Sequence, residues 1–597
     1  MQNNQIPIQL TVPSQDISEL TFTHTKAAAV ESWAESLPLA NLNKSAKLLY
    51  PAVQEISSLK TTPEIRFAML ESLRMRVQMV IEGLSHLFLN KPLSLPPEIV
   101  KVATLAQALQ KHQTNGYKVI IKQLMSAPET IQNNLLMGLA IYHAIKGFTF
   151  FLLRSYQLYL PIPPKIWQEM HSLYHLAEQR GLIDTTLEDK GNKYQVESNI
   201  VIAYLRAVML GCSKPNKLRQ SDLEKTFHAL ELWLSHIDFH HDVLDNSKSL
   251  FVIPMNEDSP PIYRAQIKNQ IDATYRHIST NNLVNQLTDH LRGETTNLEI
   301  PNELSRELIE HLIVTWSMQQ KRAFDRNKTV EALEICIGLR DTHYFAANCT
   351  PFKELLDPYA SNISGADFNP FLSGGPITRD KLIEVEDIWD EVDSTKTPVG
   401  TQKITVSTAN IERQIRENSG TKEVNDHFSY KLKVINSSPG GFCLEISTDN
   451  PEHIHTGEII GIKDKIGDNW SIGIIRWLRQ MKSCSQIGVE LLSPSAISYG
   501  ASIIKKTGVN TEYLRTLLLP ELKFINQPPT LITTQMLFSE GAKIILNKSG
   551  NTVQAQLTKR IFSTSSINQF EFRLLDRAEE ASNAKEINND NTFWGEL

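Results

Sequence analysis

The chain has 597 residues, too many for one hydrophobic core, so several domains of about 100–200 residues each are expected. A hydrophobic content of 41% and a charged content of 21% are those of an ordinary soluble protein. Sixty Lys and Arg against 66 Asp and Glu give a formal charge of −6, which argues against a nucleic-acid polymer as partner but leaves room for a local basic pocket that holds a small anion.

The first segment, 1–25, reads as irregular, and "MQNNQIPIQLTVP" lacks the charged-then-apolar pattern of a signal peptide. From 26 to 347 the apolar residues recur with helical period. In "PKIWQEMHSLYHLAEQRG", Ile166, Trp167, Met170, Leu173, Tyr174 and Ala177 fall on one face, with Pro164 suiting the first turn and Gly181 the stop. Ser221 and Glu224 have capping-box spacing ahead of the stripe Leu223, Phe227, Leu230 and Leu234. Leu304, Leu308, Leu312 and Trp316 make another stripe. The expectation is an all-α bundle or array, broken by the Pro-rich, acidic "FVIPMNEDSPPIY" and by "LRGETTNLEIPNEL". The stretch 135–153 is the most membrane-like, but it carries His143 and Lys146 and predicts a helix buried among other helices, with no membrane insertion.

"HIDFHHDVLDN" packs His236, Asp238, His240, His241, Asp242 and Asp245 together; on a helix, His236 would share a face with His240, and His241 with Asp245. That is metal-ligand chemistry and similar to metal-dependent phosphohydrolases, whose partner motifs are not identified here; a polar helix end is the plainer reading, and no metal site is assigned. No Walker loop, G-x-S-x-G elbow, G-x-G-x-x-G turn or H-E-x-x-H helix occurs, so no catalytic residue is assigned and a non-enzyme is expected. Cys212, Cys336, Cys349, Cys443 and Cys484 are far apart and odd in number, which suits reduced thiols in the cytoplasm.

Residues 348–409 read as a linker: first a Gly-, Pro- and Asn-rich loop, then the acidic "DKLIEVEDIWDEVD". Over 410–500 the period switches to two. "HFSYKLKVIN", with Phe428, Tyr430, Leu432 and Val434 on one face, is followed by "FCLEIS", "GEIIGIKD", "NWSIGIIRWLRQM" and "SQIGVELLS", a pattern for a small antiparallel barrel. Between the first two runs lies "NSSPGG".

That turn and the strand order resemble PilZ domains, small bacterial barrels that act as receptors for cyclic di-GMP. Their signature joins an Arg-x-x-x-Arg loop before the barrel to a D/N-x-S-x-x-G turn; "NSSPGG" fits the turn with Asn436, Ser438 and Gly441. The resemblance implies a cyclic di-GMP site made by these residues with the nearest upstream arginines, Arg413 and Arg416, which are spaced one residue short of the family loop. Gly441 suits a close approach that a side chain would block, and Asn436 and Ser438 can pin the turn or bond a guanine edge. Arginine suits phosphate and guanine alike, since its fork pairs with both and its plane stacks on purines. Arg413 and Arg416 otherwise read as a charged run with Glu412 and Glu417. Arg476 and Arg479 flank Trp477 and offer either an additional ligand surface or a solvent-facing rim.

A second strand-rich unit is expected over 501–576, with "NKSGN" as a hairpin loop, and 577–597 reads as a disordered tail. The fold class is thus multidomain α+β: a helical N-terminal region, a PilZ-like barrel and a second strand-rich unit. The function implied is that of a cytoplasmic bacterial signalling or adaptor protein that responds to cyclic di-GMP and needs no cofactor. It would hold a protein partner through its helical region. A scaffold or chaperone-like adaptor that binds no nucleotide, and a metal-dependent hydrolase using 236–245, are the alternatives.

Overall fold

The computed structural model describes residues 8–91, 95–195, 197–240, 249–267, 271, 273–318, 327–328, 332–357, 427–446, 454–463, 469–481, 484–505, 510–522 and 527–575. Its contacts divide the chain into two units, Met1–Arg322 with Arg479–Met481, and Ala323–Leu478 with Lys482–Leu597.

The first unit begins with helices α1 (Ala27–Glu35), α2 (Leu42–Ser58), α3 (Pro63–Phe88), α4 (Pro97–Met125), α5 (Ile131–Gln157) and α6 (Ile166–Gln179). After a two-stranded ribbon, β1 (Leu187–Glu188) with β2 (Glu197–Ser198), come α7 (Ile200–Cys212) and α8 (Gln220–Trp233). Starts are set by side-chain caps: Asn41, Thr62, Thr130 and Asn199 each accept from the backbone N–H three residues on. The apolar α5 packs against α4, α6, α7 and α8. It is long and apolar enough to cross a membrane, yet 67% of its most apolar stretch is buried within the protein. On α6, Trp167, Met170, Leu173, Tyr174 and Ala177 are all buried, as their spacing predicts. The capping box does not form: α8 starts at Gln220, so Ser221 lies inside its first turn and Arg219 takes the cap position.

Buried charge ties the 187–198 ribbon to the helices. The Asp189 side chain is fully buried and accepts from Lys146 Nζ at 2.5 Å, Arg74 Nη1 at 3.2 Å, Tyr142 Oη at 3.0 Å and the Gly191 backbone N–H at 2.9 Å. Burial alone would raise its pKa, but Lys146, Arg74 and the Gly191 amide outweigh it and hold the carboxyl well below the usual range.

The expected all-helical run to 347 is interrupted by sheet. Strands β3 (Asp238–His240), β4 (Phe251–Pro254), β5 (Ile262–Tyr263) and β6 (Tyr275–Ser279) form a sheet in the order β3-β6-β4-β5, followed by α9 (Asn281–Arg292) and α10 (Arg306–Ser317). The "FVIPMNEDSPPIY" segment therefore supplies two strands, and Asp258 within it accepts from the Lys165 and Gln168 backbone amides at the start of α6. His236 ends a short 3-10 turn and Asp238–His240 is strand, so the helical face proposed for this cluster does not exist; His241, Asp242 and Asp245 lie outside the described residues. Among the described residues no group of three or more His, Cys, Asp or Glu could hold a metal ion.

The second unit holds two barrels. The first is built from β8 (Ala332–Ile337), β9 (Tyr430–Ser438), β10 (Gly441–Ile446), β11 (Ile459–Lys463), β12 (Ser471–Gln480) and β13 (Ser485–Ser493). The strands run β10-β13-β12-β11-β8-β9, and pairing of β9 with β10 closes the ring; a short strand, β7 (Asn327–Lys328), also pairs with β9. The barrel thus starts upstream of 410. Strand β8 falls inside the segment read as helical, and α11 (Leu339–Ala346) and α12 (Phe352–Leu356) follow it.

The second barrel is β14 (Ile497–Ile503), β15 (Leu514–Leu519), β16 (Thr530–Thr534), β17 (Lys543–Lys548), β18 (Asn551–Ser563) and β19 (Ile567–Leu574), closed in the order β14-β15-β16-β19-β18-β17. The "NKSGN" turn joins β17 to β18 with Ser549 and Gly550 at φ of 55° and 81°, the left-handed pair that a two-residue hairpin needs. The two barrels share apolar packing: Leu339, Ile459, Ile472 and Ile474 from one side meet Leu517, Leu519, Ile532 and Ile567 from the other, all buried. At about 1.5–3 kcal/mol for each side chain fully buried, this contact stabilises the pair as one body. The C-terminal carbonyls of α12 are met by the second barrel, since Leu355 and Leu356 accept from the Ser549 and Gly550 amides.

Candidate functional site

The site begins with the turn joining β9 to β10. Their register pairs Ser438 with Gly441, Ser437 with Phe442 and Asn436 with Cys443, then skips Ile435 to pair Val434 with Leu444. That bulge separates two patterns. Beyond it Leu432, Val434, Leu444 and Ile446 are buried and fill the barrel, whereas Phe428, expected on the same face, is 53% exposed and precedes the strand. Leu444 points inward, so alternation puts its neighbour Cys443, itself buried, and Asn436 opposite it on the other face of the sheet.

Gly441 has a φ of +151°, and a Cβ on it would lie 2.0 Å from the Val489 carbonyl oxygen. No other residue fits there, because β10 runs against β13 with Gly441 opposite Glu490. The Ser438 hydroxyl donates to the Gly441 carbonyl at 3.3 Å and pins the turn.

The outer row continues across the sheet. Cys443 pairs with Gly488, whose neighbours Ile487 and Val489 are buried. Trp477 on β12 lies on Gly488: a Cβ there would be 1.8 Å from the indole Nε1 and 2.1 Å from Cε2. Asn436, Cys443, Gly488 and Trp477 therefore make one stripe, with the indole seated where the sheet has no side chain.

Arg476 precedes Trp477 on β12 and is already engaged. Its Nε donates to Glu490 at 2.6 Å, and its guanidinium lies 5.3 Å from the Phe562 ring centre on β18. The structure gives it a bracing role between the barrels. Arg479 is exposed near the end of β12. Arg413 and Arg416 lie outside the described residues.

The sequence holds a second pair of arginines upstream. "KRAFDRNK" holds Arg322 and Arg326 at the Arg-x-x-x-Arg spacing of the family loop, ending one residue before β7. Both lie outside the described residues, but β7 does not: Asn327 pairs with Ser437 and Lys328 with Asn436. The chain that leaves Arg326 thus enters the sheet beside the turn that carries Asn436 and Ser438. The spacing was visible, but about a hundred residues separate the two halves of the signature.

Comparison with known proteins agrees with this architecture. Residues 28–243 match the N-terminal domain of the cyclic-di-GMP receptor FimW, 250–497 match its middle PilZ domain, and 499–575 match its C-terminal β-barrel domain. The middle-domain match takes in Arg322, Arg326 and the "NSSPGG" turn. The cyclic-di-GMP receptor FimW of Pseudomonas aeruginosa is 31% identical over 591 residues, 96% of this chain and 94% of that protein. No solved structure matches. With all three of its domains matched in order and one relative aligned along nearly its whole length, the chain belongs to the cyclic-di-GMP receptor FimW family.

Proposed function

We propose that this protein is a cyclic di-GMP receptor that binds its ligand on the outer face of the first barrel, at the Asn436–Gly441 turn. Arg326 and Arg322, on the arm leading into β7, grip the phosphates and guanines. Asn436 and Ser438 supply polar groups at the turn, and the Trp477 indole offers a ring on which a purine can stack. The observation that carries this reading is the pairing of Asn327 and Lys328 with Ser437 and Asn436, which brings the arm's end to the turn. Arg413 and Arg416 are not needed in this account.

The protein acts as a receptor rather than an enzyme, and its helical unit supplies the surface for a protein partner. Five free cysteines, three of them buried, suit the reducing cytoplasm as its place of work. Titration calorimetry of the full chain with cyclic di-GMP tests the ligand. Cross-linking of a partner with and without ligand tests the adaptor role, and a partner captured equally in both states would overturn it.

A further inference from the structure

The connection from β16 to β17 carries two large apolar side chains that the second barrel does not use. Met536 is 84% exposed and Leu537 is 54% exposed. Single exposed apolar residues are ordinary, but this turn is held from within. Asn568, only 1% exposed, donates its side-chain amide to the carbonyls of Gln535 at 3.0 Å and Phe538 at 3.4 Å, while its own oxygen accepts from Ser563 Oγ at 2.5 Å. The Gln535 amide donates to the Ser566 carbonyl and the Gly541 amide to the Leu557 carbonyl. Phe538 is buried in the barrel. The residues on both sides of Met536 and Leu537 are therefore fixed, and the fold presents these two side chains to water on a rigid turn.

Basic residues flank them. Strand β18 departs from regular register beside this turn, at Leu557–Arg560 and again at Arg560–Phe562, and the Arg560 amide donates to Glu540 Oε1 at 2.8 Å. Lys559 there is exposed and Ile561 is 40% exposed, and Lys543 begins β17 just past the turn. Lys543, Lys559 and Arg560 outnumber Glu540.

We propose that this corner of the second barrel docks on an anionic membrane surface, with Met536 and Leu537 entering the interface and Lys543, Lys559 and Arg560 facing the headgroups. Size and charge select this occupant over a protein. Two exposed side chains offer far less than the roughly 800 Å² per partner of a stable protein interface. A lipid interface takes apolar side chains without a complementary pocket, and its anionic headgroups match the basic flank.

Flotation of the full chain with vesicles tests it, comparing phosphatidylcholine alone with phosphatidylcholine mixed with phosphatidylglycerol. The protein is expected to float with the mixed vesicles, to float much less with the neutral ones, and to lose binding as salt is raised. Met536→Asp with Leu537→Asp should reduce the bound fraction about tenfold or more, and Lys559→Glu should also weaken it. Both variants alter exposed side chains, so their unfolding temperatures should match the parent's. A parent that does not float with the mixed vesicles, or a Met536→Asp/Leu537→Asp variant that floats as well as the parent, would overturn the proposal.

Discussion

Gly441 and Val489 meet backbone to backbone: a Cβ on the glycine would fall 2.0 Å from the valine carbonyl oxygen, and the glycine φ is +151°. Both terms point the same way, because the conformation disfavours an L side chain and the space forbids one. Gly441→Ala should therefore destabilise the barrel by about 2 kcal/mol or more, seen as a lowered unfolding midpoint. Since the Ser438 hydroxyl is anchored on the Gly441 carbonyl, the same change should weaken ligand binding. An alanine variant with the parent's midpoint would show that the strands separate there at little cost.

Trp477 and Gly488 give a second, spectroscopic test. Gly488→Ala must lift the indole from the sheet, since no alanine methyl fits 1.8 Å from Nε1. A shift of tryptophan emission towards longer wavelength is expected, with ligand affinity falling about tenfold if a base stacks on that ring. Trp477→Phe should keep most of the affinity and Trp477→Ala should lose it. Equal affinity in all three variants would remove Trp477 from the site.

In the helical unit Asp189 is the group to remove. Its carboxylate satisfies Lys146, Arg74 and Tyr142 at once, and Asp189→Ala would leave the buried Lys146 without a carboxylate partner and Arg74 with Glu71 alone. Breaking one side of a buried pair costs about 3–5 kcal/mol, so the unit should melt at markedly lower denaturant. Unchanged unfolding would mean that water replaces the carboxylate.

Acid stability should follow the buried histidines. Burial pushes His143 and His171 each down to about 4. Between about 4 and the unfolded value of about 6.5 the unfolded chain binds protons that the native one refuses, so stability falls as pH falls through that window. Denaturant midpoints measured from pH 7 to pH 4 should decline, and His171→Gln should flatten the decline. His171→Gln retains a hydrogen-bonding side chain near Tyr204 and the Ser259 carbonyl, the partners of the imidazole. A slope unaltered by the substitution would place the titration elsewhere.

The barrels were legible because half-buried antiparallel strands alternate, and "KLKVIN", "FCLEI" and "QIGVELL" do so on either side of recognisable turns. Strand β8, "ALEICI", was not: it follows helical sequence and is separated by more than ninety residues from β9, with which it pairs. The small sheet of 238–279 was missed because its strands are two to five residues long, too short to display a period. The turn between β9 and β10 was legible by local pattern. Arginines were sought next to the turn in sequence, whereas the strand that pairs with β9 beside the turn is β7, which follows Arg326 in the chain. Arg476 looked like a ligand group by charge and proximity to Trp477; Glu490 and Phe562, which occupy it, come from other strands and leave no trace in its neighbourhood.

We propose that the residues before β7 and the turn after β9 hold the ligand between them. Calorimetric titration of the full chain with cyclic di-GMP, comparing Arg326→Ala and Asn436→Ala with Arg413→Ala/Arg416→Ala, addresses it most directly. Loss of a charge-assisted contact should weaken binding about tenfold or more in the first two. The Arg413→Ala/Arg416→Ala variant should bind as the parent does. Parent-like binding by Arg326→Ala, or lost binding when Arg413 and Arg416 are replaced, would contradict the account.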